Sequence, residues 1–485
     1  MGKGGFNLNQ TQKTNKWSVL LIVIITTFMA TLDGSIVNVA LPNMAKALNV
    51  STSGIQFVAT SYLIVIAGVI LVFGKLGDMI GKTKMFTIGI ALFTIGSLLC
   101  GLSGTYPVLI VARVIQAIGA AGTMANSQGI VTEIFPANER GKALGIVGTA
   151  VALGSLVGPG LGGLIVGAIG WEYIFFINLP IGIIAVIAAL KLFPKTQHKT
   201  DQKLDMTGSV LFLVAIVPLF VSLNESVHLG FANPLILSGF AVSVLSFIAF
   251  IFIEHSKANP LVQLNMFSNR LFSLSIFCGF ISFVAIFCHN ILLTFYLQYV
   301  RAYSPSFSGM IMMVYPLILT AVAPLSGHLS DKIGSEVLTF IGLGLSSIGL
   351  LLMSTVGANS SLFYLIGIIA IMSVGMGMFQ SPNNSLVMST VSRDKLGVAG
   401  SINALIRNVG MVCGIALATT LLYSMMSFKL GIRVTSYIPG RSDVFIFGMH
   451  IVYLVAGGIS LLGALLTLFR MRSNKQSRIV QENIE

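Results

Sequence analysis

Charged residues are scarce in this sequence. They make up 9% of 485 residues, against 55% hydrophobic residues and a mean hydropathy of +0.93. A soluble protein of this length could not bury so much apolar surface, so the soluble classes are excluded. The short segments of alternating polarity that a membrane β-barrel needs are also missing, and long continuous apolar runs take their place. The composition therefore predicts an all-α integral membrane protein.

Cysteine is rare as well, with four residues, all inside apolar runs and without metal-type spacing. We interpret them as thiols in the protein interior, neither disulfides nor ligands. The sequence has no phosphate-cradling glycine loop with a Walker lysine and no nucleophile triad. We therefore expect neither an enzyme nor a bound cofactor or metal, and we expect an ion gradient, not nucleotide hydrolysis, as the energy source.

Membrane topology explains the net charge of +13, because basic residues gather in the cytoplasmic loops of membrane proteins. We expect no nucleic-acid partner. The first apolar run is too long for the core of a signal peptide, and no small-residue cleavage site follows it. We expect it to remain as the first span.

Fourteen apolar runs are long enough to cross a bilayer, which takes about 20 residues. An even number of spans places both termini on the same side of the membrane. The runs cover residues 17–40, 55–73, 85–102, 107–132, 141–167, 173–192, 207–223, 235–253, 271–298, 307–324, 337–356, 362–388, 397–426 and 444–469.

The lysine and arginine residues orient these spans. If both termini are cytoplasmic, the inner segments hold 21 of the 28 basic residues and the outer segments hold 5, while Arg113 and Arg407 remain inside spans. Basic residues concentrate in cytoplasmic loops. We therefore expect both termini in the cytoplasm.

A short motif occurs twice, 253 residues apart: GKLGDMIG over residues 74–81 and GHLSDKIG over residues 327–334. Each copy lies at the equivalent place in a run of six spans. Chance likeness between two glycine-rich loops is the alternative explanation. Duplicated helical bundles are a transporter architecture in which the ligand site lies between the halves.

The repeat predicts two six-helix bundles with two extra helices between them. The N-terminal bundle would cover residues 1–192, the linker and the extra pair 193–256, the C-terminal bundle 257–470 and a cytoplasmic tail 471–485. We expect the extra pair, spans seven and eight, to lie at the side without lining the cavity.

The repeated motif also suggests a conformational role. Gly74 and Gly81 permit a tight turn, and Asp78 can cap a helix N-terminus or pair with a base across the bundle interface. Asp331 is the corresponding acid of the second copy. A contact of this kind would stabilise one conformation of the transporter-like bundle pair over the other.

Span five contains the pattern GIVGTAVALGSLVGPGLGG. Glycines at these spacings leave one helix face without side chains, so a partner helix can approach closely. Proline removes a backbone hydrogen bond and can bend the helix. We expect this face at the seam between the halves, where it would allow rocking; tight packing without a transport role is the alternative. The residues concerned are Gly145, Gly154, Gly158, Pro159, Gly162 and Gly163.

These motifs make the chain resemble the fourteen-span drug:proton antiporters of the major facilitator superfamily over nearly its whole length. GKLGDMIGKTK, the span-five pattern and LIVARVIQAIGAA, centred on Arg113 and Gln116, resemble signatures of the superfamily. TLDGSIVNVALP, EHSKANPLVQLNMF and AGSINALIRNVG resemble those of its fourteen-span group. The resemblance implies the major facilitator fold, a bacterial cytoplasmic membrane and export of drugs in exchange for protons.

Ionisable side chains inside spans are costly and are functional candidates by default. Asp33 is the only acid well inside a predicted span. In one interpretation it is permanently charged and paired with Arg113, and only holds the bundle together. In the other it exchanges a proton as the cavity opens to each side, and a cationic substrate competes with that proton for the same carboxylate.

The remaining polar candidates are also open to two interpretations. Glu133, at the inner mouth of span four, is either solvated or part of a proton pathway. His289 is either a hydrogen-bonded interior histidine or a cavity group, and Arg407 is either a tie between helices or a substrate contact. Asp33, Glu133 and Arg113 form the predicted proton-coupling set. The predicted substrate cavity comprises Asp33, Asn38, Gln116, His289, Asn290, Tyr296, Gln298, Phe379 and Arg407, although core packing explains its aromatic members equally well.

The sequence thus predicts a monomeric, proton-coupled antiporter that exports hydrophobic or amphiphilic, often cationic, compounds. Its partners would be those small molecules, protons and the lipid bilayer. One alternative keeps the fold and exports or flips a lipid-like or anionic metabolite. The other is a membrane sensor that does not transport.

Overall fold

The computed structural model describes residues 15–194, 204–257, 260–391 and 396–482. Within these ranges the chain is helical between short connections, without any strand, and fourteen helices are long and apolar enough to cross a membrane. The predicted all-α architecture with fourteen spans is therefore confirmed. The spans, numbered one to fourteen below, are Lys16–Ala47, Phe57–Ile80, Lys82–Gly101, Tyr106–Ile134, Ala137–Ala168, Tyr173–Leu192, Met206–Leu229, Pro234–Ser256, Arg270–Val300, the consecutive pair Pro305–Met312 and Val314–Ile333, Ser335–Met353, Leu362–Ser389, Leu396–Leu430 and Ser442–Glu482.

The helices pack in two matching sets of six. In the first set, span one packs on spans five and six, span four on spans two and three, and span three on span six. The same pairs recur eight spans later: nine on thirteen and fourteen, twelve on ten and eleven, and eleven on fourteen. The internal repeat of the sequence therefore has a counterpart in the packing, as duplicated bundles require.

The two halves meet mainly along two seams, span five against span ten and span two against span thirteen. The extra pair lies beside one of these seams. Spans seven and eight pack on each other, and span seven also packs on spans two and thirteen.

The glycines of span five line two helix faces, not one. Gly154, Gly158 and Gly162 pack on span one of the same half, where the Ser35 hydroxyl donates to the Gly154 carbonyl at 3.1 Å. Gly163 faces span ten of the other half, and a side chain there would collide with the Pro305 carbonyl. The prediction of a single smooth face at the seam is therefore wrong for most of the row. The reason is that glycine spacing reports a close approach but not the identity of the partner helix.

Glycine makes the tight turns on the cytoplasmic side. Gly81 and Gly334, 253 residues apart, have φ of +101° and +93°, a backbone conformation that favours glycine. Gly74 was expected to share in this turn, but it lies inside span two, where a Cβ would be 4.0 Å from the Ala125 side chain.

Candidate functional site

Asp33 lies in the interior of the first half. One carboxylate oxygen accepts a hydrogen bond from Arg113 Nη1 at 2.7 Å, and the two side chains are 0% and 1% exposed. The rest of the guanidinium is held as well: Nε donates to the Val58 carbonyl at 3.1 Å, and the group lies 4.2 Å from the Tyr62 ring centre. A buried charge pair needs such additional hydrogen bonds to offset the loss of water.

Polar side chains from two other spans bond the second oxygen of Asp33. Gln116 Nε2 donates to it at 2.9 Å and Asn178 Nδ2 at 3.0 Å. Gln116 also donates to the Ser97 hydroxyl at 2.8 Å and accepts from Arg113 Nη1 at 2.6 Å. The acid thus lies against a guanidinium and is hydrogen-bonded at both oxygens, which is the paired arrangement, one of the two interpretations that the sequence left open.

Several residues predicted to line the cavity have no accessible surface in this structure. Asp33, Gln116 and His289 are 0% exposed, and Tyr296 and Phe379 are 1% exposed. Each is packed inside its own half, so the expectation that they face a common cavity does not hold for this conformation. The physical reason is that a helix inside a bundle turns its polar side chains inward when partners from neighbouring helices can satisfy them.

Lys82 ties the first copy of the repeated motif to span four. Its ammonium lies 2.9 Å from an Asp78 carboxylate oxygen and 2.5 Å from a Glu133 carboxylate oxygen. Asp78 therefore neither caps a helix nor pairs across the bundle interface here, and Glu133 is bound to a base at the inner mouth. The side-chain surroundings of Asp331, and those of Gly145 in span five, lie outside what the structure describes.

The second half holds a buried polar cluster centred on His289. His289 Nδ1 lies 3.2 Å from the Tyr453 hydroxyl, and the Tyr315 ring centre lies 6.4 Å from that of His289. His289 Nε2 and the Tyr315 hydroxyl are buried without a hydrogen-bond partner. A small cavity, lined in part by Tyr315, adjoins this cluster.

The outer ends of the two halves are joined by hydrogen bonds. Gln298 Nε2 donates to the Val39 carbonyl at 2.9 Å, and the Tyr423 hydroxyl donates to Thr52 Oγ1 at 2.6 Å. Further hydrogen bonds between the halves cluster on this outer side, in spans one, two, five, nine, ten and thirteen and their outer connections. The structure therefore shows a conformation sealed toward the outside.

Two predicted cavity residues, Asn38 and Asn290, contribute little to this seal. Asn38 is 6% exposed, and its side-chain amide donates to the Gly34 carbonyl at 3.4 Å. Asn290 is half-buried, one residue beyond His289. A Cβ on Gly34 would meet nothing within 4 Å, so open space adjoins span one at this depth.

Arg407 is an arginine inside span thirteen. It is half-buried, its Nε is buried with no hydrogen-bond partner, and no ion pair involves it among the described residues. Gly400, seven residues earlier, lies against span four of the other half, where a Cβ would be 2.8 Å from Gln128 Oε1. Seven residues is about two helical turns, so Arg407 lies on the face that is turned toward the other half.

Among the residues of these networks that were not sequence candidates are Asn178, Gln56 and Thr419. Asn178 is the only amide within the predicted sixth span, which is a detectable signal. The Thr419 hydroxyl donates to Gln56 Oε1 across the seam between spans two and thirteen. Threonine inside a span most often bonds its own helix, so only the tertiary structure identifies this contact.

Comparison with known proteins assigns the family. The family model described as Major Facilitator Superfamily matches residues 23–415 and 275–483. The chain is 35% identical over 463 residues to the riboflavin transporter RibZ of Clostridioides difficile, covering 95% of this chain and 99% of that protein.

Two further relatives are named for drug resistance. The multidrug resistance protein Stp of Mycobacterium tuberculosis is 31% identical over 85% of this chain and 77% of its own length. The tetracenomycin C resistance and export protein of Streptomyces glaucescens is 28% identical over 96% and 94%. With fourteen membrane spans and bacterial relatives of this kind, the protein is a multi-pass protein of the cytoplasmic membrane. The chain belongs to the major facilitator superfamily.

Proposed function

We propose that this transporter is a proton-coupled antiporter that exports hydrophobic and amphiphilic compounds, many of them cationic, by alternating access. One observation carries the proposal: two matching six-helix halves touch mainly along two seams, and a cluster of hydrogen bonds joins them on the outer side. Breaking these bonds while the inner ends approach would expose the space between the halves to the other side. The names of two relatives, a multidrug resistance protein and an export protein, support the cargo.

The site proposed for the cargo lies between the halves and includes the residues there that retain accessible surface, Asn290, Gln298 and Arg407. Asp33 and Arg113 take part in proton coupling only if their ion pair opens during the cycle, because each oxygen of Asp33 is already bonded. Glu133 is proposed as a proton acceptor at the inner mouth, where Lys82 now holds it.

Transport into proteoliposomes tests this function. The purified protein is reconstituted, a pH gradient is imposed, and uptake of ethidium, tetraphenylphosphonium and neutral lipophilic drugs is followed with and without a protonophore. We expect gradient-dependent uptake of at least one lipophilic cation that the protonophore abolishes. If the gradient moves none of these compounds, the proposal is wrong.

A second cargo class is favoured by Arg407 and by the relative named a riboflavin transporter. A half-buried guanidinium that forms no ion pair with the described residues is a good partner for a planar ligand rich in hydrogen-bond acceptors, or for an anion. Under this alternative, the site takes acceptor-rich aromatic compounds such as flavins.

Variants of Arg407 separate the two cargo classes. If a flavin is carried, Arg407→Ala should reduce riboflavin uptake by tenfold or more, whereas Arg407→Lys, which keeps the charge but not the planar fork, should retain part of it. Ethidium transport serves as the internal control, because removing a cation from the site should not weaken binding of a cationic compound. Equal effects on both compounds would contradict a flavin-specific role.

A further inference from the structure

The polar clusters of the two halves occupy the same place in the repeat. In each half the first helix bonds the sixth: Asp33 accepts from Asn178 at 3.0 Å, and His289 meets Tyr453 at 3.2 Å. The second helix of each half supplies a tyrosine, Tyr62 or Tyr315, at the spacing of 253 residues that the loop motif defines.

The surrounding packing fixes this correspondence. One turn after Asn178 and Tyr453, a glycine packs on the third helix of each half: Gly182 lies against Thr94, and the Gly457 carbonyl accepts from Ser347 at 2.8 Å. Thr94 and Ser347 are again 253 residues apart.

The fourth helices correspond in the same way, 256 residues apart. A Cβ on Gly119 would lie 2.6 Å from the Gly89 carbonyl, and a Cβ on Gly375 would lie 2.6 Å from the Gly342 carbonyl. This register places Ile369 in the second half where Arg113 lies in the first.

Because Ile369 stands where the first half has Arg113, the second cluster lacks the positive charge and the volume of an arginine side chain. Arg113 fills the centre of the first cluster, over the Tyr62 ring. In the second half a cavity is found instead, and its lining includes Tyr315, Leu350 and Met372, the counterparts of Tyr62, Ser97 and Gln116. The first cluster is thus a closed ion pair, and the second has no permanent charge.

Among the side chains named below around His289, the imidazole is the one whose ordinary pKa lies near neutral pH. Tyr315 of span ten and Tyr453 of span fourteen face it, Cys288 adjoins it on its own helix, and Cys413 of span thirteen lies near Cys288. Span twelve contributes apolar residues to this region, and span eleven contributes serine and leucine side chains. Helices packed against span nine carry two buried or half-buried cations. Arg407 lies six residues, or about 9 Å, along span thirteen from Cys413, and Arg470 of span fourteen donates to the Ser275 hydroxyl of span nine at 3.0 Å.

We propose that His289, in place of Asp33, is the buried proton-binding group of this transporter; the proposal rests on the proton coupling proposed above. The proton adds to the unpartnered Nε2 lone pair, and Nδ1–H then donates to the Tyr453 hydroxyl. On release, the proton leaves Nε2 for solvent in the other conformation and the ring is neutral again. Arg113 would hinder such a change of charge beside Asp33, whereas Ile369 does not.

His289→Gln tests the proposal in proteoliposomes, with His450→Gln as the matched control. His450 lies near the outer end of span fourteen, where Nε2 meets the Val356 carbonyl at 2.8 Å. Two assays are compared with ethidium and riboflavin as probes: uptake driven by a pH gradient, and exchange of labelled for unlabelled probe without a gradient. We expect His289→Gln to lose gradient-driven uptake at least tenfold while exchange stays within twofold of the parent protein, and His450→Gln to keep both.

The outcomes separate this proposal from the proposed function. If the parent protein exchanges a probe but does not respond to a pH gradient, proton coupling itself is wrong. If the parent responds and His289→Gln responds equally, His289 is not the proton site. If His289→Gln is not recovered as a monodisperse protein, Tyr453→Phe is used, which removes only the hydroxyl at Nδ1. It should shift the pH midpoint of gradient-driven uptake and preserve exchange, and an unchanged pH profile would overturn the proposal.

Discussion

Gln56 and Thr419 join the two halves at the outer end of the seam between spans two and thirteen: the Thr419 hydroxyl donates to Gln56 Oε1. Both side chains are buried, and Tyr423 bonds Thr52 one turn further out. This contact can form only when the outer side is closed, so it marks one of the conformations that alternating access requires.

Cross-linking these two positions should therefore arrest transport. In a background without the four native cysteines, Gln56→Cys with Thr419→Cys is expected to form a disulfide under mild oxidation and to lower transport at least tenfold, with recovery on reduction. Each single cysteine variant is the control. Full transport by the oxidised double variant would show that the seam stays closed throughout the cycle.

The ion pair between Asp33 and Arg113 should be essential for stability. Asp33→Asn leaves a buried guanidinium without its counter-charge, which costs about 3–5 kcal/mol. The matched control is Asp78→Asn, because that side chain is 52% exposed and its pair with Lys82 is worth at most about 1 kcal/mol. Thermal unfolding in detergent measures both. A small change for Asp33→Asn would mean that the pair is not closed in solution.

Gly163→Ala should separate spans five and ten. A Cβ at this position would collide with the Pro305 carbonyl, and backbone cannot move aside as a side chain can. We expect a loss of about 1–3 kcal/mol in stability and at least a tenfold loss of transport. Gly148→Ala in the same helix is the control, since nothing lies within 4 Å of its Cβ position. There, the gain in helix propensity should leave stability equal or slightly higher.

Asp205 makes a pH-dependent contribution to the stability of the folded protein, at the cytoplasmic end of span seven. Burial alone would raise the pKa of its carboxyl, but the Lys257 ammonium and the Gly208 amide, which donates at 2.7 Å, outweigh burial and hold that pKa below its ordinary value. Its stabilisation is therefore fully present above the unfolded pKa, near 4, and is lost as the pH falls through the folded pKa.

Asp205→Asn tests this dependence. We expect the variant to be less stable by about 1 kcal/mol at neutral pH, because the charged N-cap and the pair with Lys257 are lost. The difference in stability between the variant and the parent protein should become smaller as unfolding is measured at progressively lower pH. A difference that does not depend on pH would show that Asp205 acts through its shape and not its charge.

The fold could be predicted from the sequence because a bilayer imposes simple rules. Hydrophobic length gives the spans and basic loops orient them, and the repeated loop motif predicts two halves, which the matched packing bears out. The contacts of individual side chains were harder to predict from the sequence. The glycine row of span five predicts a close approach, yet only the folded chain shows that Gly158 meets Ser35 of span one while Gly163 meets span ten.

The candidate site was harder to predict for the same reason. A lone acid in a span is compatible with a titrating group or with a closed ion pair, and the decision depends on Gln116 and Asn178, which come from two other spans. Residues such as Tyr296 attract attention because they are polar and intramembrane. Here its hydroxyl donates to the Gly357 carbonyl at 2.8 Å, a structural bond within the second half.

The position of span seven affects how the two seams can move. It packs on spans two and thirteen together, and the Thr420 hydroxyl of span thirteen donates to the Leu223 carbonyl of span seven at 3.4 Å. Relative movement of the halves at this seam must therefore either break one of these contacts or carry span seven along. Among the described residues, spans seven and eight make no comparable packing on the seam between spans five and ten. Span seven thus restrains relative movement of the two halves at the seam between spans two and thirteen. Movement is less restrained at the seam between spans five and ten, where lipid would contact the seam directly.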